Sequence, residues 1–378
     1  MMNKKNLDNS FDAMYTLRKR NLLNQTGKGK KTSYSSDELI LSRLTGLDDV
    51  LRNITGKPQI IGPITEWTSS DPISPRFIFP GPIIPDGQGN YYIGSINNPG
   101  TSGLIVKVDS NGNKIASYNA PVGLLSNSSQ GGSPSSLVFY NGFLYGSDEG
   151  KHFIFRLDPA TSSWVVLLGL PENPGFVNGV GSVIRLWSPI SLISDNAGIL
   201  YFLQENGINF AISKYVISTG VLSSLTGTGI TGFADGPGNT AQFNRPSSIF
   251  FDISGNIIVC DMFNHRIRKI DKNTQVVTTV AGTGSATSLD GPVSSATFVE
   301  PSAGCSDSNG NLYIVSKTAN SAFKVPTLIR KISNGIVTSI FTPGNGLPIL
   351  SDITNINFFD GYIYVSEQSN STTLRFSV

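Results

Sequence analysis

Along residues 80–378 short apolar runs recur at a near-constant interval, separated by clusters of Gly, Asn, Asp, Ser and Pro. Pro80, Pro134, Pro189, Pro246 and Pro301 open successive units 54, 55, 57 and 55 residues apart, and Thr354 continues the register 53 residues later. Six residues after each start stands Asp86, Tyr140, Asp195, Asp252, Asp307 or Asp360, followed by a Gly or Asn turn. Then comes a β-branched and aromatic run: Tyr91 to Gly94, Phe143 to Gly146, Ile199 to Phe202, Ile257 to Cys260, Leu312 to Val315 and Tyr362 to Val365. Apolar runs joined by a turn of this kind are hairpins.

A third strand follows in every unit, reading LIVKVD at 104–109, RIRKID at 266–271 and LIRKIS at 328–333, and most units add a fourth, such as Val276 to Val280. Four antiparallel strands per unit predict a propeller blade, which buries both faces only by stacking on its neighbours. The sequence therefore predicts an all-β, six-bladed β-propeller. The last unit starts at 354 and the chain stops at 378, room for three strands. The segment 58–64 aligns with the fourth strand at 274–280, so residues 58–66 are expected to complete blade 6 and close the ring, with the propeller occupying 58–378.

Composition supports short strands over helices: 14% of the residues are charged, against ~25% for an average soluble domain, beside 40 Gly and 21 Pro. No apolar stretch is long enough for a transmembrane segment, and Lys4 and Lys5 are followed by Asp8 and Asp12 without an apolar run, which is no clear signal peptide. The chain reads as soluble. Cys260 and Cys305 allow one bridge at most and are read as buried thiols.

One ordered series stands out: Phe233-Ala234-Asp235-Gly236-Pro237-Gly238, Ala241-Gln242-Phe243-Asn244-Arg245-Pro246, Gly255-Asn256, Cys260-Asp261-Met262-Phe263-Asn264-His265-Arg266-Ile267-Arg268-Lys269-Ile270, and Val280-Ala281-Gly282-Thr283-Gly284. It resembles the NHL repeat. Blade 5 repeats it loosely through Leu289-Asp290-Gly291, Pro301, Gly310-Asn311 and Ile329-Arg330-Lys331-Ile332. The resemblance implies a structural role for Asp261, Asn264 and Arg266, found together only in blade 4; the other blades are read with Ser95, Ser147, Leu203, Ser316 and Ser366 at the Asp261 position. An acceptor at a strand end and an Arg on the next strand can tie turn to sheet.

Residues 1–57 hold 11 Lys and Arg against 6 Asp and Glu, a net of +5, which leaves 17 against 20, a net of −3, for the remainder. Arg18, Lys19, Arg20, Lys28, Lys30 and Lys31 make this arm the candidate contact for an anionic surface or nucleic acid. Ser35-Ser36-Asp37-Glu38 followed by Ile40, Leu44, Leu47, Leu51 and Ile54 predicts an amphipathic helix over about 36–54.

Groups for chemistry are sparse. His152 and His265 are read as falling at different positions of blades 2 and 4, and as structural. Asp148, Glu149, Glu205, Asp261 and Glu367 follow second strands and are the candidate ligands of a divalent-metal hydrolase or lactonase. Arg245, Arg266, Arg268, Lys269 and Lys331 are the candidate patch of an RNA-binding propeller, though alternation sends most of them to different faces. Gly227-Thr228-Gly229 and Gly282-Thr283-Gly284 read as turns between blades, and Trp67, Trp164 and Trp187 as blade-packing residues, with a binding rim as the alternative for Trp187 beside its Pro turn. The leading expectation is a non-enzymatic scaffold for protein partners, without a cofactor, tethered by its arm to a larger assembly such as a virion or surface layer.

Overall fold

A computed structural model describes residues 60–63, 78–96, 104–110, 114–125, 134–318, 327–341, 353–367 and 372–377. The chain divides into two units, Met1–Gly46 and Leu47–Val378, and everything described belongs to the second. The helix expected over 36–54 and the basic cluster from Arg18 to Lys31 lie outside the described residues. Among those described, strands alternate with turns and the helical elements are two single 3-10 turns, Gly181–Val183 and Met262–Asn264.

The described strands form six antiparallel sheets. A short strand, β1 (Ile60–Pro63), comes first. Sheet 1 holds β2 (Ile78–Pro85), β3 (Tyr91–Ile96), β4 (Leu104–Val108) and β5 (Lys114–Asn119). Sheet 2 holds β6 (Ser136–Tyr140), β7 (Phe143–Asp148), β8 (Phe153–Asp158) and β9 (Ser163–Gly169). Sheet 3 takes β10 (Gly179–Val180) as an outer fifth strand beside β11 (Pro189–Ser194), β12 (Ile199–Glu205), β13 (Phe210–Val216) and β14 (Val221–Thr226). Sheet 4 is β15 (Pro246–Phe251), β16 (Ile257–Asp261), β17 (Arg266–Ile270) and β18 (Val277–Ala281). Sheet 5 adds β19 (Gly291–Pro292) to β20 (Val299–Ser306), β21 (Leu312–Lys317), β22 (Thr327–Ser333) and β23 (Ile336–Phe341). Sheet 6 is β24 (Ile353–Phe359), β25 (Tyr362–Glu367) and β26 (Thr372–Ser377), with β1 as its fourth strand in the order β1-β26-β25-β24.

Apart from β1, β10 and β19, which pair out of chain order at an outer edge, the strands of each sheet form a meander, because they are short and their turns supply the residues a reversal needs. Asp86, Asp252 and Asp307 show how. Their Oδ1 atoms accept the backbone N–H groups two and four residues on, and Oδ2 accepts from Asn90, Asn256 or Asn311 at 2.7 to 2.9 Å. This is the Asx-type closure that makes Asp a turn former.

The core lies between sheets. Tyr92, Ile105 and Leu137 join sheets 1 and 2, Tyr145, Leu192 and Phe202 sheets 2 and 3, and Leu203, Ile249 and Val259 sheets 3 and 4. Phe250, Ile258 and Ile314 join sheets 4 and 5, Tyr313 and Ile363 sheets 5 and 6, and Ile83, Tyr91 and Tyr364 sheets 6 and 1. Burying one such side chain contributes about 1.5–3 kcal/mol, so the sheets hold one another by their apolar faces. Gly304 marks how closely they approach: a Cβ there would stand 2.4 Å from the Phe250 ring of sheet 4. Serines of the first strands add polar rungs, with Ser136 Oγ donating to Leu192 O at 3.1 Å and Ser247 Oγ to Pro301 O at 3.0 Å. Cys260 and Cys305 are both free and buried. The architecture is an all-β propeller.

Candidate functional site

The polar groups singled out by the sequence gather at the turn after β16. Asp261 ends that strand with no exposed surface, and two side chains donate to its Oδ2 atom: Asn264 Nδ2 at 2.8 Å and Arg268 NH1 at 2.7 Å. Its Oδ1 accepts the Asn244 N–H at 2.8 Å. Burial raises the Asp261 pKa, while the Asn264, Asn244 and Arg268 donors oppose the rise. Asn264 also donates to Gly232 O at 2.8 Å, which ties the preceding connection to the turn.

Arg268 is the residue that sequence reasoning did not place here. Arg266 faces Asp261 in the strand register, yet its guanidinium reaches Asn264 O at 2.9 Å and Thr283 O at 2.6 Å and lies 3.9 Å from the Phe233 ring centroid. The ion pair belongs to Arg268, two residues on, which is wholly buried and also meets Asp235 Oδ1 at 2.6 Å. Asp235 in turn accepts the Thr279 N–H and hydroxyl at 3.1 and 3.0 Å. Sheet 5 repeats the clasp: Arg330, also without exposed surface, holds Asp290 Oδ1 at 2.6 Å, and Asp290 accepts the Ser339 N–H at 2.8 Å. The aspartate of each Asp-Gly pair therefore locks the outer strand to the third strand. Ser316 occupies the Asp261 position in sheet 5, facing Leu328 as Asp261 faces Arg266, and its buried hydroxyl has no partner among the described residues.

The two histidines are equivalent, which corrects the reading that separates them. Asp148 pairs with Phe153 and Asp261 with Arg266, so four residues intervene in each turn and His152 and His265 both come last, with φ of 65° and 55°. Gly169 and Gly282 confirm the match, since a Cβ on either would stand 2.6 Å from the carbonyl oxygen of His152 or His265. By this register Asp148, and not Ser147, corresponds to Asp261. Each histidine reaches the next sheet: His152 Nδ1 accepts the Ser188 N–H at 3.0 Å and His265 Nδ1 the Glu300 N–H at 3.2 Å. Only a neutral imidazole with a bare Nδ1 can accept, and burial lowers the pKa of both. Ser188 and Glu300 precede prolines and hold φ of 38° and 44°, as does Arg245 at 48°. This is a conformation that residues before proline avoid.

The remaining carboxylates divide. Asp148 is buried and accepts the Lys151 N–H at 2.8 Å. Glu149 presents an open surface, yet the protein around it desolvates the carboxyl and, with the charge of Glu205, raises its pKa. The Glu367 side chain lies outside the described residues. Among the described residues no three His, Cys, Asp or Glu side chains are grouped to hold a metal ion. Of the candidate RNA patch, Arg268 is buried in its ion pairs, Lys331 lies 5.6 Å from the Tyr313 ring centroid, and Arg245 lies 5.3 Å from that of Phe263.

No family model matches the chain. Over 102 residues it is 37% identical to NHL repeat-containing protein 2 of Bos taurus, a match covering 26% of this chain and 14% of that protein. The human protein is 34% identical over 118 residues, 31% of this chain and 16% of its own. The chain thus matches less than a fifth of either relative. Among solved structures, an auxiliary nutrient binding protein from Bacteroides thetaiotaomicron aligns with a TM-score of 0.56 at 12% identity, over 80% of this chain and 69% of that one. A gluconolactonase from Xanthomonas campestris aligns with a TM-score of 0.51 at 12% identity, over 80% and 86%. At such identities the likeness is one of fold. The chain is an all-β propeller that carries an NHL-like motif on sheet 4 with an echo on sheet 5, and over less than a third of its length it is similar to NHL repeat-containing proteins.

Proposed function

We propose that the chain is a non-enzymatic interaction scaffold. In this reading the six sheets are six blades of one ring, sealed where β1 pairs with β26, and the ring offers its faces to protein partners. Two observations support the ring: the first strands β2, β6, β11, β15, β20 and β24 touch in that order and β24 touches β2 again, and Ser366 Oγ donates to Gly81 O at 2.9 Å across the join. Residues 1–57 form the tether, with Arg18, Lys19, Arg20, Lys28, Lys30 and Lys31 meeting an anionic partner in a larger assembly such as a virion or surface layer.

The observation that carries the scaffold reading is the occupation of the reactive groups. Asp148, Asp261, Arg268, Arg330, His152 and His265 each close a turn or bind a neighbouring sheet. Chemistry needs groups convergent on a reacting atom, and these are taken up by one another and by backbone. The test is co-purification of the full chain and of a 58–378 chain from cells that make the native assembly. Loss of the assembly with the arm, reproduced by high salt, supports the tether; equal recovery of both chains refutes it.

A second reading, a divalent-metal hydrolase or lactonase, draws on Glu149 and Glu205, which stand close enough to feel each other's charge. Metal analysis of the dialysed protein separates the two readings. One bound divalent ion per chain, lost on Glu149→Gln, favours the hydrolase.

A further inference from the structure

A cleft of about 350 Å3 lies against sheet 3, between the connection carrying Phe176 and Asn178, the β12–β13 turn with Asn209, and the segment around Thr228. This connection falls between two repeat units. Among the described residues the lining contains no ionisable side chain. A phosphate, carboxylate or ammonium ligand would leave water without a counter-charge, which is costly. A wholly apolar ligand would strip water from Asn178, Asn209 and Ser224 and return no hydrogen bond.

The arrangement suits a ligand with one apolar face and a polar rim. Phe176 is 39% exposed, and its ring stacks on Trp187 with centroids 6.1 Å apart and planes 19° from parallel, which holds it as a platform. Asn178 and Asn209 are exposed and carry a donor and an acceptor in one plane; Asn178 is steadied by its bond to Ser224 Oγ at 3.2 Å. Gln204 lies at the cleft with 2% exposure. Its Oε1 accepts the Trp187 N–H at 3.0 Å and its Nε2 donates to Ser213 Oγ at 2.7 Å, so the amide is fixed and one Nε2 hydrogen remains without a partner among the described residues.

We infer that this cleft binds a neutral pyranose. One C–H face of the sugar ring lies on Phe176, and adjacent hydroxyls are read by the Asn178 and Asn209 amides. The volume, near the lower end of the ~300–1,000 Å3 found for ligand pockets, fits one ring. The site goes beyond the scaffold reading and does not depend on it: the glycoside titrations can fail while the co-purification test succeeds, and the reverse.

The test is ligand-observed NMR on the full chain with methyl glycosides of glucose, galactose, mannose and N-acetylglucosamine, and with glucuronate and glucose 6-phosphate as charged counterparts. The expected result is saturable binding of at least one neutral glycoside with a Kd of about 1 mM. Phe176→Ala and Asn209→Ala should each weaken it about tenfold with melting temperature unchanged, because both side chains are exposed. Should Phe176→Ala fail to fold, Asn209→Ala alone decides. Absence of saturation with all four glycosides, tighter binding of a charged counterpart, or equal binding by folded variants would overturn the inference.

Discussion

Arg268 donates to Asp261 Oδ2 at 2.7 Å with neither side chain exposed to solvent. A pair so placed is costly to break from one side, because the partner left behind is a buried charge. Asp261→Ala is expected to destabilise the protein by about 3–5 kcal/mol. Asp235→Ala removes a partner of the same guanidinium, but one whose side chain is 41% exposed, and should cost only about 1 kcal/mol. Urea unfolding checks the order. The combined Asp261→Leu and Arg268→Met chain should be more stable than Asp261→Ala alone, since it removes the orphaned charge along with its partner.

The bonds from Ser188 to His152 and from Glu300 to His265 make stability depend on pH near neutrality. Burial lowers both pKa values below the ordinary 6.5; the charge of Asp148 opposes this at His152, while at His265 Glu300 opposes it and Arg266 adds to it. A lowered folded pKa means that the unfolded chain binds protons first as pH falls. The stabilisation is therefore complete above pH 6.5 and is lost as pH drops through the folded values. His152→Asn and His265→Asn keep an acceptor near the Nδ1 position, tolerate the left-handed backbone and cannot titrate. Melting temperatures of the doubly substituted chain should vary less between pH 7.5 and about 5 than those of the native sequence; identical curves would sink the idea.

The equivalence of these histidines was hidden by turn length. In sheet 2 the first hairpin turns through Asn141-Gly142, whereas in sheet 4 it runs from Asp252 to Asn256, so a count from Pro134 or Pro246 slips by one residue at Asp148 and Asp261. The sheets themselves were legible, because the Pro start and the Asp turn each recur in five of the six units and the apolar run in all of them. The clasp was half legible. Arg266 and Arg268 share a strand face by parity, and only the path of the 233–243 connection selects Arg268 for burial. The cleft against sheet 3 had no signal, since Phe176, Asn178 and the residues from Gly227 to Ile230 lie on connections that do not follow the repeat pattern.

Acid should loosen the first hairpin through Asp86. Burial pulls its pKa up, but Lys107 at 2.8 Å, the Asn90 side chain and the Gln88 and Asn90 N–H groups prevail and bring it from 3.8 to about 2. The sign is that of a carboxylate favoured by folding: its stabilisation is complete above pH 3.8 and disappears as pH falls toward 2. The difference amounts to about 2 kcal/mol. Asp86→Asn should lower stability by that order at pH 7 and have little further effect near pH 2, which urea unfolding at the two pH values reads directly.

Closure of the ring by β1 is the most exposed part of the scaffold reading. Ile60 pairs with Phe376 and Pro63 with Leu374, through an irregular register, so residues from opposite ends of the chain share one sheet. Without β1, the backbone groups of β26 that face away from β25 would lose their partners and leave an open sheet edge. Sheet 6 meets sheet 1 through Tyr91, Phe359 and Tyr364, with Phe359 and Tyr364 stacked 3.8 Å apart, and Tyr91 OH donates to Asp360 Oδ2 at 3.0 Å. Fraying at β26 would therefore reach the join between the last sheet and the first. Deletion of residues 58–66 is expected to lower the melting temperature by more than ~5 °C and to speed amide exchange in β26 before other strands. An unchanged melting temperature with protected β26 amides would mean that the sheet is complete without β1.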